Sequence, residues 1–314
     1  LIEKYFKVPH ARKDVVMGPG DDCALLTLPP DAQLAVSTDT LVSGVHFFPD
    51  MDPVDLGYKA LAVNLSDLAA MGAEPRWVSL ALTLPAINER WVAGFAEGFL
   101  ELAEYYNVAL VGGDMTRGPL SITVSVKGSV PAGRALMRSG AKAGDGVYVT
   151  GTLGDAALAL SHLLGKRTLN ENQLAAVLPR LDHPHPRILA GQALRGLASS
   201  ALDLSDGLAS DLGHILKASG VRAQIDLNLL PLSPVLQDAV PAMDAWQLAL
   251  AGGDDYELCF TVPQEHHGAL DTALANCGVK FTRIGRILAG EPGIDYLQDE
   301  QPVELHLKGW DHFA

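Results

Sequence analysis

The segment Ala251-Gly252-Gly253-Asp254-Asp255-Tyr256-Glu257-Leu258-Cys259-Phe260-Thr261-Val262 joins a glycine-rich acidic turn to an apolar run. The run over 256–262 is short, largely apolar and contains aromatic and β-branched residues, so it predicts a buried β-strand. Glycine permits a tight bend of the backbone, and this bend carries two adjacent carboxylates. The segment therefore predicts a strand with acidic side chains in the turn beside it.

The same combination of glycine and aspartate recurs where other apolar segments end, at 19–22, 111–114 and 150–155. Periodicity predicts strands at 34–39, 108–111, 120–126, 147–150 and 279–288, and helices at 52–72, from 88, and at 154–164, 184–198 and 263–276. The first helix has Asp52 as its cap and Pro53 at its first position. Apolar residues at helical spacing from Trp91 to Tyr106 predict core packing for the second helix. This mixture favours an α/β fold with mixed sheets.

The stretch 133–146 is rich in glycine, alanine and basic residues and has no periodicity. We expect a domain boundary there, with an N-terminal domain at 1–138 and a C-terminal domain at 139–314. Asn64–Ala69 faintly resembles Asp203–Ala209, which is too short a match to establish a duplication. It does place an acid at a helical start or interior in both halves.

Composition excludes several classes of protein. Hydrophobic residues make up 48% and charged residues 19%, so the chain can form a sizeable core. No uninterrupted apolar run is long enough to cross a membrane, and the first residues do not resemble a signal peptide. The net charge of −14 argues against nucleic acid as a partner. Three widely spaced cysteines without a CxxC motif predict neither a disulfide framework nor a zinc site, and they favour the cytoplasm.

The motifs of common catalytic sites are absent from the chain: it has no GxxxxGK[ST], GxGxxG, HExxH or GxSxG. What remains is a set of aspartates beside glycine, serine or threonine. Carboxylate oxygens suit Mg²⁺, and converging carboxylates would raise one another's pKa unless cations neutralised them. A single aspartate after glycine is usually a turn former or a helix cap, and we assign Asp155 and Asp211 to that role. The joint occurrence of several such motifs is harder to explain by turns alone.

Six motifs in order give the chain a family resemblance. They are Pro19-Gly20-Asp21-Asp22-Cys23-Ala24, Ser37-Thr38-Asp39-Thr40-Leu41-Val42, Asn64-Leu65-Ser66-Asp67-Leu68-Ala69-Ala70-Met71-Gly72, Gly112-Gly113-Asp114, Asp203-Leu204-Ser205-Asp206-Gly207 and Gly252-Gly253-Asp254-Asp255-Tyr256-Glu257-Leu258. Together they resemble the bacterial thiamine-monophosphate kinases, from about Tyr5 to Phe313. These belong to a superfamily that includes aminoimidazole ribonucleotide synthetase.

The resemblance implies phosphorylation of thiamine monophosphate to thiamine diphosphate by ATP, with several Mg²⁺ ions and direct in-line transfer. It also implies a two-domain fold like that of aminoimidazole ribonucleotide synthetase. The N-terminal domain would bind metal and ATP, and its four-stranded sheet would pair across a homodimer into a barrel. The C-terminal domain would close over the nucleotide and the substrate.

The resemblance also assigns residues to roles. Implied catalytic residues are Asp67, Asp39 and Asp206. Implied metal ligands are Asp22, Ser37, Thr38, Asp39, Asp67, Asp114, Asp203 and Asp206. Implied ATP contacts are Gly113, Asp114, Arg138 and Ser205. Arg138 could fork onto phosphate oxygens, or it could be a solvated residue of the boundary loop.

Three further residues resemble acceptor-side contacts, namely His46, Asp254 and Trp310. His46 could instead be a polar packing residue, and Trp310 could cover the core of a terminal segment. A Trp that met the ligand would stack on the cationic thiazolium ring. The family usually has Glu where this chain has Asp254, which is shorter by one methylene. That difference puts the role of Asp254 in doubt more than it does the reaction.

Three alternative functions remain compatible with the residues. The chain could be another ATP-using enzyme of the superfamily, which would use similar acids for a different acceptor. It could be a non-catalytic module that binds cations or nucleotides. It could also be an acidic structural protein whose Asp-Gly turns only punctuate loops.

Overall fold

The chain divides into two compact units, which are described separately. The computed structural model describes residues 1–6, 12–19, 22–305 and 307. Unit 1 comprises residues 1–68 and 73–133, and unit 2 comprises residues 69–72 and 134–314. The chain passes from unit 1 to unit 2 between residues 133 and 134, whereas the domain boundary predicted from sequence lies between residues 138 and 139. Among the described residues, no helix combines the length and the apolar character needed to cross a membrane.

Unit 1 contains a four-stranded mixed sheet and two long helices. In chain order its elements are α1 (Ile2–Tyr5), β1 (Val15–Met17), β2 (Leu25–Leu26), β3 (Ala32–Val42), α2 (Pro53–Ala70, whose last residues belong to unit 2), β4 (Glu74–Leu84), α3 (Glu89–Tyr105), β5 (Ala109–Arg117) and β6 (Ser121–Pro131). The sheet order is β3-β6-β4-β5, while β1 and β2 form a separate pair. Only the β4–β5 contact is parallel within the four-stranded sheet.

Local signals explain the two long helices of unit 1. The Asp52 carboxylate accepts the Val54 N–H at 2.8 Å and so caps α2, as the sequence predicts. Asn88 caps α3 in the same way by accepting the Trp91 N–H. Phe95 and Phe99 are fully buried, which confirms the core packing of the apolar stripe.

Glycine lets α2 and α3 approach closely. A Cβ on Gly98 would lie 1.9 Å from the carbonyl oxygen of Val54, and a Cβ on Gly57 would lie 2.1 Å from that of Phe95. No side chain fits at either position without moving a helix. The close crossing fixes α2, the helix that carries Asp67.

Unit 2 contains a seven-stranded sheet with helices. Its elements are β7 (Gly146–Thr150), α4 (Asp155–Leu163), α5 (Glu171–Asp182), α6 (Ile188–Leu194), β8 (Ser200–Asp203), α7 (Leu208–Ser219), β9 (Arg222–Asp226), α8 (Pro234–Ala239), α9 (Ala242–Ala251), β10 (Leu258–Val262), α10 (His267–Leu274), β11 (Phe281–Leu288), β12 (Gly293–Gln298) and β13 (Gln301–Val303). The sheet order is β13-β12-β9-β11-β7-β10-β8. The prediction of an α/β fold with mixed sheets is confirmed.

Several predicted elements differ from the structure at their ends, and for two of them the backbone gives the reason. The predicted helix at 184–198 is wrong at both ends, since α6 spans only Ile188–Leu194. Proline at 186 disfavours helical backbone at His185, and Gly196 has a left-handed φ of 80°. The strand predicted from Tyr256 begins at Leu258, because Tyr256 itself has a φ of 48°.

Candidate active site

In unit 1, β3 and α2 bring three of the predicted metal ligands together. Side chains alternate along a strand, so Ser37 and Asp39 project from the same face of β3 and Thr38 from the other. The hydroxyl of Ser37 donates a hydrogen bond to the Asp67 carboxylate on α2. Asp39 also forms a side-chain hydrogen bond with Asp67. The result is a compact group of oxygen ligands.

Asn64 connects the helix to the strand at this point. It lies one helical turn before Asp67, and its position three residues earlier puts both side chains on the same face of α2. The Asn64 side-chain oxygen accepts the backbone N–H of Asp39 at 3.1 Å, and its amide donates to the Ala60 carbonyl at 2.9 Å. Asn64 is fully buried. It therefore fixes the position of Asp39 relative to Asp67.

The Asp39 carboxyl group has an unusually high pKa, to which its pairing with Asp67 contributes. Loss of water around the carboxyl group, followed by the charge and hydrogen bond of Asp67, raises the pKa of Asp39 to about 6. Two adjacent carboxylates share one proton readily because both cannot ionise without repulsion. A divalent cation would remove that repulsion, so the pair is chemically suited to one.

A second acidic position in unit 1 lies at β5. Asp22, Gly113 and Asp114 line a cavity of about 230 Å³. A Cβ on Gly113, whose φ is 155°, would lie 1.8 Å from the Leu80 carbonyl oxygen on β4. Only glycine fits there, and it lets the backbone beside Asp114 line the cavity.

The oxygen ligands of Ser37, Asp39 and Asp67 fit a Mg²⁺ site that water and phosphate oxygens would complete. Among the described residues, no group of three or more His, Cys, Asp or Glu side chains is arranged to hold a metal. Mg²⁺ usually takes one or two carboxylates and completes its six ligands with water and phosphate oxygens. The Ser37 hydroxyl with the Asp39 and Asp67 carboxylates matches that pattern. It does not match a closed structural site.

In unit 2, two loops run side by side and bring together predicted residues from distant parts of the sequence. One loop, 203–207, follows β8, and the other, 252–257, precedes β10. The Asp254 N–H donates to the Ser205 carbonyl at 2.9 Å, and the Leu204 N–H donates to the Glu257 carbonyl at 2.8 Å. A Cβ on Gly253 would lie 2.5 Å from the Ser205 carbonyl oxygen, so the close approach requires glycine. Asp203, Ser205, Asp206 and Asp254 thus share one end of the sheet.

Asp211 holds the first of these loops in place. It lies near the start of α7, is 4% exposed, and accepts the backbone N–H of Asp206 at 3.0 Å. Burial raises the pKa of Asp211 to about 7. The sequence prediction gives it a structural role, and its contact here is with the backbone of the loop that carries Ser205 and Asp206.

The other predicted residues lie as follows. The His46 Nδ1 accepts the Val42 N–H at 3.0 Å, so one ring nitrogen stabilises the turn after β3. Arg138 is exposed in unit 2, and its carbonyl accepts a hydrogen bond from the Ser219 hydroxyl. Asp155 accepts hydrogen bonds from the Thr152 and Ser233 hydroxyls at the start of α4. Trp310 lies outside the described residues.

Two residues that contact the predicted site residues or their loops, Asn64 and Glu257, were not themselves predicted. Asn64 could have been found from its spacing to Asp67, which places the two on one helical face. Glu257 gave no such signal, because its charged partners are far away in the sequence.

Comparison with known proteins covers both units. A family model described as AIR synthase related protein, N-terminal domain, matches residues 20–130. The model described as AIR synthase related protein, C-terminal domain, matches residues 142–296. Together they span most of the chain, which confirms a two-domain fold of this type.

Individual relatives show to which family within this broader group the chain is similar. The chain is 57% identical over 316 residues to the thiamine-monophosphate kinase of Escherichia coli K12, with 100% of this chain and 97% of that protein covered. It is 45% identical to the crystal structure of thiamine-monophosphate kinase from Stenotrophomonas maltophilia K279a, with a TM-score of 0.86 over 93% of each chain. It is 34% identical to the structure of AaThiL complexed with AMPPCP and TMP, with a TM-score of 0.79 over 91% of this chain and 89% of that one. With this identity over its whole length, the chain belongs to the thiamine-monophosphate kinase family.

Proposed function

We propose that this protein transfers the γ-phosphoryl group of ATP to thiamine monophosphate and so forms thiamine diphosphate. The observation that carries the proposal is the pairing of Asp39 with Asp67 in a chain of this family. A carboxylate pair that needs a cation, without a Lys-bearing phosphate loop, suits phosphoryl transfer that depends on divalent metal.

In unit 1, Ser37, Asp39 and Asp67 are the ligands that we propose for Mg²⁺, with Thr38 on the other face of β3 as a further candidate. Asp22 and Asp114 would hold metal at the cavity beside Gly113. When bound, the cations would neutralise phosphate charge and align the reacting oxygens. Asp39 and Asp67 must be ionised to act in this way. Asn64 keeps Asp39 oriented, because its side-chain oxygen accepts the backbone N–H of Asp39.

In unit 2, Asp203 and Asp206 are the proposed metal ligands, and Ser205 and Arg138 are the proposed ATP contacts. The hydrogen bond from Asp206 to Asp211 fixes the loop that presents them. Arg138 is exposed, so its guanidinium is available to fork onto phosphate oxygens.

The acceptor brings its own nucleophile. A phosphate monoester oxygen is largely deprotonated near neutral pH, so the chain needs no strong general base. The barrier lies in bringing two anionic phosphates together, and this chain's carboxylates would lower it by holding cations. His46, Asp254 and Trp310 are the acceptor contacts that we propose, with Asp254 facing the cationic thiazolium ring.

The proposed location is the cytoplasm, and the proposed assembly is a homodimer. The three cysteines are free, which fits a reducing compartment. On β3, the residues Leu34 and Val36 are 48% and 57% exposed in the single chain. A second copy that packed its sheet on this face would bury them. We expect light scattering in solution to give twice the mass of the chain, and a monomeric mass at micromolar concentration would contradict the dimer.

The choice of acceptor tests the function against its closest rival. We expect ADP release with ATP, Mg²⁺ and thiamine monophosphate, and none when the substrate of aminoimidazole ribonucleotide synthetase replaces it. ADP release only with the second substrate would move the protein to the other activity. No turnover with either substrate would favour a module that binds cations or nucleotides without catalysis.

A further inference from the structure

Glu257 is a fully buried acid that the proposed chemistry does not use. Its carboxylate accepts four hydrogen bonds in unit 2: from Arg180 Nη2 at 2.6 Å, from Arg187 Nε at 2.6 Å and Nη2 at 2.5 Å, and from the Thr150 hydroxyl at 2.6 Å. The Thr150 hydroxyl in turn accepts the Leu258 N–H at 2.8 Å. The turn after β7 is therefore tied to the start of β10.

Stability alone does not account for this cluster of charges. The Glu257 side chain is 1% exposed, and those of Arg180 and Arg187 are 23% and 16% exposed. Taking charges out of water is costly, and well-packed apolar residues often stabilise a protein as much as a buried ion pair does. Ionic hydrogen bonds differ from apolar packing in that they fix direction. What Glu257 holds in a fixed direction is the segment before it.

That segment has an unusual backbone. Asp254 and Tyr256 adopt left-handed φ values of 66° and 48°, a backbone conformation that residues other than glycine rarely take. Such strained residues persist only where their surroundings determine the conformation, and they concentrate at functional sites. The Tyr256 hydroxyl also donates to the Asp254 carboxylate at 3.2 Å.

Buried acids anchor the strained residues. Asp255, between the two left-handed residues, is 4% exposed and accepts the Gly154 N–H with both oxygens, at 2.9 and 3.2 Å. Glu257 follows Tyr256 directly. The backbone N–H groups of Asp254 and Tyr256 donate to the Ser205 and Leu204 carbonyls. Asp255 and Glu257 thus point into unit 2 and hold the chain while Asp254 lies on the loop that borders Ser205.

We propose that Glu257, clamped by Arg180 and Arg187, is a positioning residue for the acceptor. It fixes segment 252–256 in the backbone conformation, left-handed at Asp254 and Tyr256, that presents the Asp254 carboxylate. This inference rests on the proposed function, in which Asp254 contacts thiamine monophosphate.

The first test is a Glu257→Gln variant, which keeps the shape of the side chain and removes its charge. We expect its KM for thiamine monophosphate to rise by about tenfold or more, while its KM for ATP changes by less than about twofold. A residue needed only for folding would lower the amount of active enzyme, and hence Vmax, without changing either KM. The control is Asp238→Asn, at an exposed position on α8, which should leave both constants unchanged.

Glu257→Gln leaves two arginines without their acid and could prevent folding. A second variant, Arg187→Lys, keeps the positive charge and replaces the paired hydrogen bonds of the planar guanidinium by those of a single ammonium nitrogen. We expect the same selective rise in the acceptor KM, of about threefold to tenfold. Unchanged acceptor KM in a folded Arg187→Lys variant would overturn the proposal.

Hydrogen exchange provides a measurement without substrate. In either folded variant, the amides of Asp254 and Tyr256 should exchange at least about tenfold faster, while those of Val147 and Val149 on β7 keep their protection. Unchanged exchange at Asp254 and Tyr256 would overturn the positioning role. If wild-type protein did not phosphorylate thiamine monophosphate, the proposed function would fail, and the exchange result would still decide whether Glu257 orders the segment.

Discussion

Replacing Asp67 by asparagine should remove most turnover while the protein stays folded. We expect kcat to fall by about 100-fold or more, equivalent to about 2.7 kcal/mol of transition-state stabilisation. The physical reason is that the asparagine side chain could still accept the Ser37 hydroxyl but would no longer supply the charge that a cation needs. The measurement is steady-state kinetics at saturating Mg²⁺, with the melting temperature as a check on folding.

The melting temperature itself should not fall in Asp67→Asn. In the ligand-free protein, burial and then the charge of Asp67 raise the pKa of Asp39, and asparagine removes the repulsion between the two carboxylates. The matched control is Asp50→Asn, an exposed loop position in the same unit, which should keep wild-type kcat. Near-normal turnover of Asp67→Asn would remove Asp67 from the proposed metal ligands.

The stabilisation that Mg²⁺ gives should depend strongly on pH. Asp39 has a pKa of about 6 in the folded protein, above the value near 3.8 of an ordinary Asp. Its stabilising contribution to the ligand-free protein is therefore fully present below about pH 4 and is lost as the pH rises through 6. A cation must displace this proton below pH 6, so the Mg²⁺ concentration that gives half the thermal shift should rise about fivefold between pH 6 and pH 5.

Thermal melts across a Mg²⁺ titration at pH 5.0, 6.0 and 7.5 make this measurement. Asp39→Asn should show a small Mg²⁺ effect at every pH, whereas Asp50→Asn should behave like wild type. Equal Mg²⁺ midpoints at pH 5.0 and 7.5 in the wild-type protein would show that Asp39 does not bind the cation.

The elements that could be predicted from sequence are those with strong local signals. Asp52 with Pro53, and Asn88 with the apolar stripe after it, define the starts of α2 and α3. Much of 199–250 was not predicted: β8 and α8 are short, with four and six residues, and the longer helices α7 and α9 were not assigned either. The helix α5 begins with a capping box formed by Asn170 and Gln173, a signal that was present but not used.

In the candidate site, too, the features with local sequence signals could be predicted and those that depend on tertiary contacts could not. Glycine beside aspartate indicated which acids to consider, since that pattern is local. The contact between Asp39 and Asp67 depends on how β3 and α2 pack, which no local pattern encodes. The clamp on Glu257 lies further beyond sequence reasoning, because Arg180 and Arg187 are 77 and 70 residues away along the chain. Its three side chains come from α5, from the residue before α6 and from the residue before β10.

The most direct test of the central claim follows the γ-phosphoryl group of labelled ATP during turnover with Mg²⁺ and thiamine monophosphate. We predict that the label appears in the terminal phosphate of thiamine diphosphate in amounts equal to the ADP released, and that a chelator abolishes both. Label recovered as inorganic phosphate, or as a phosphorylated form of the protein that accumulates and turns over, would contradict direct transfer to this acceptor.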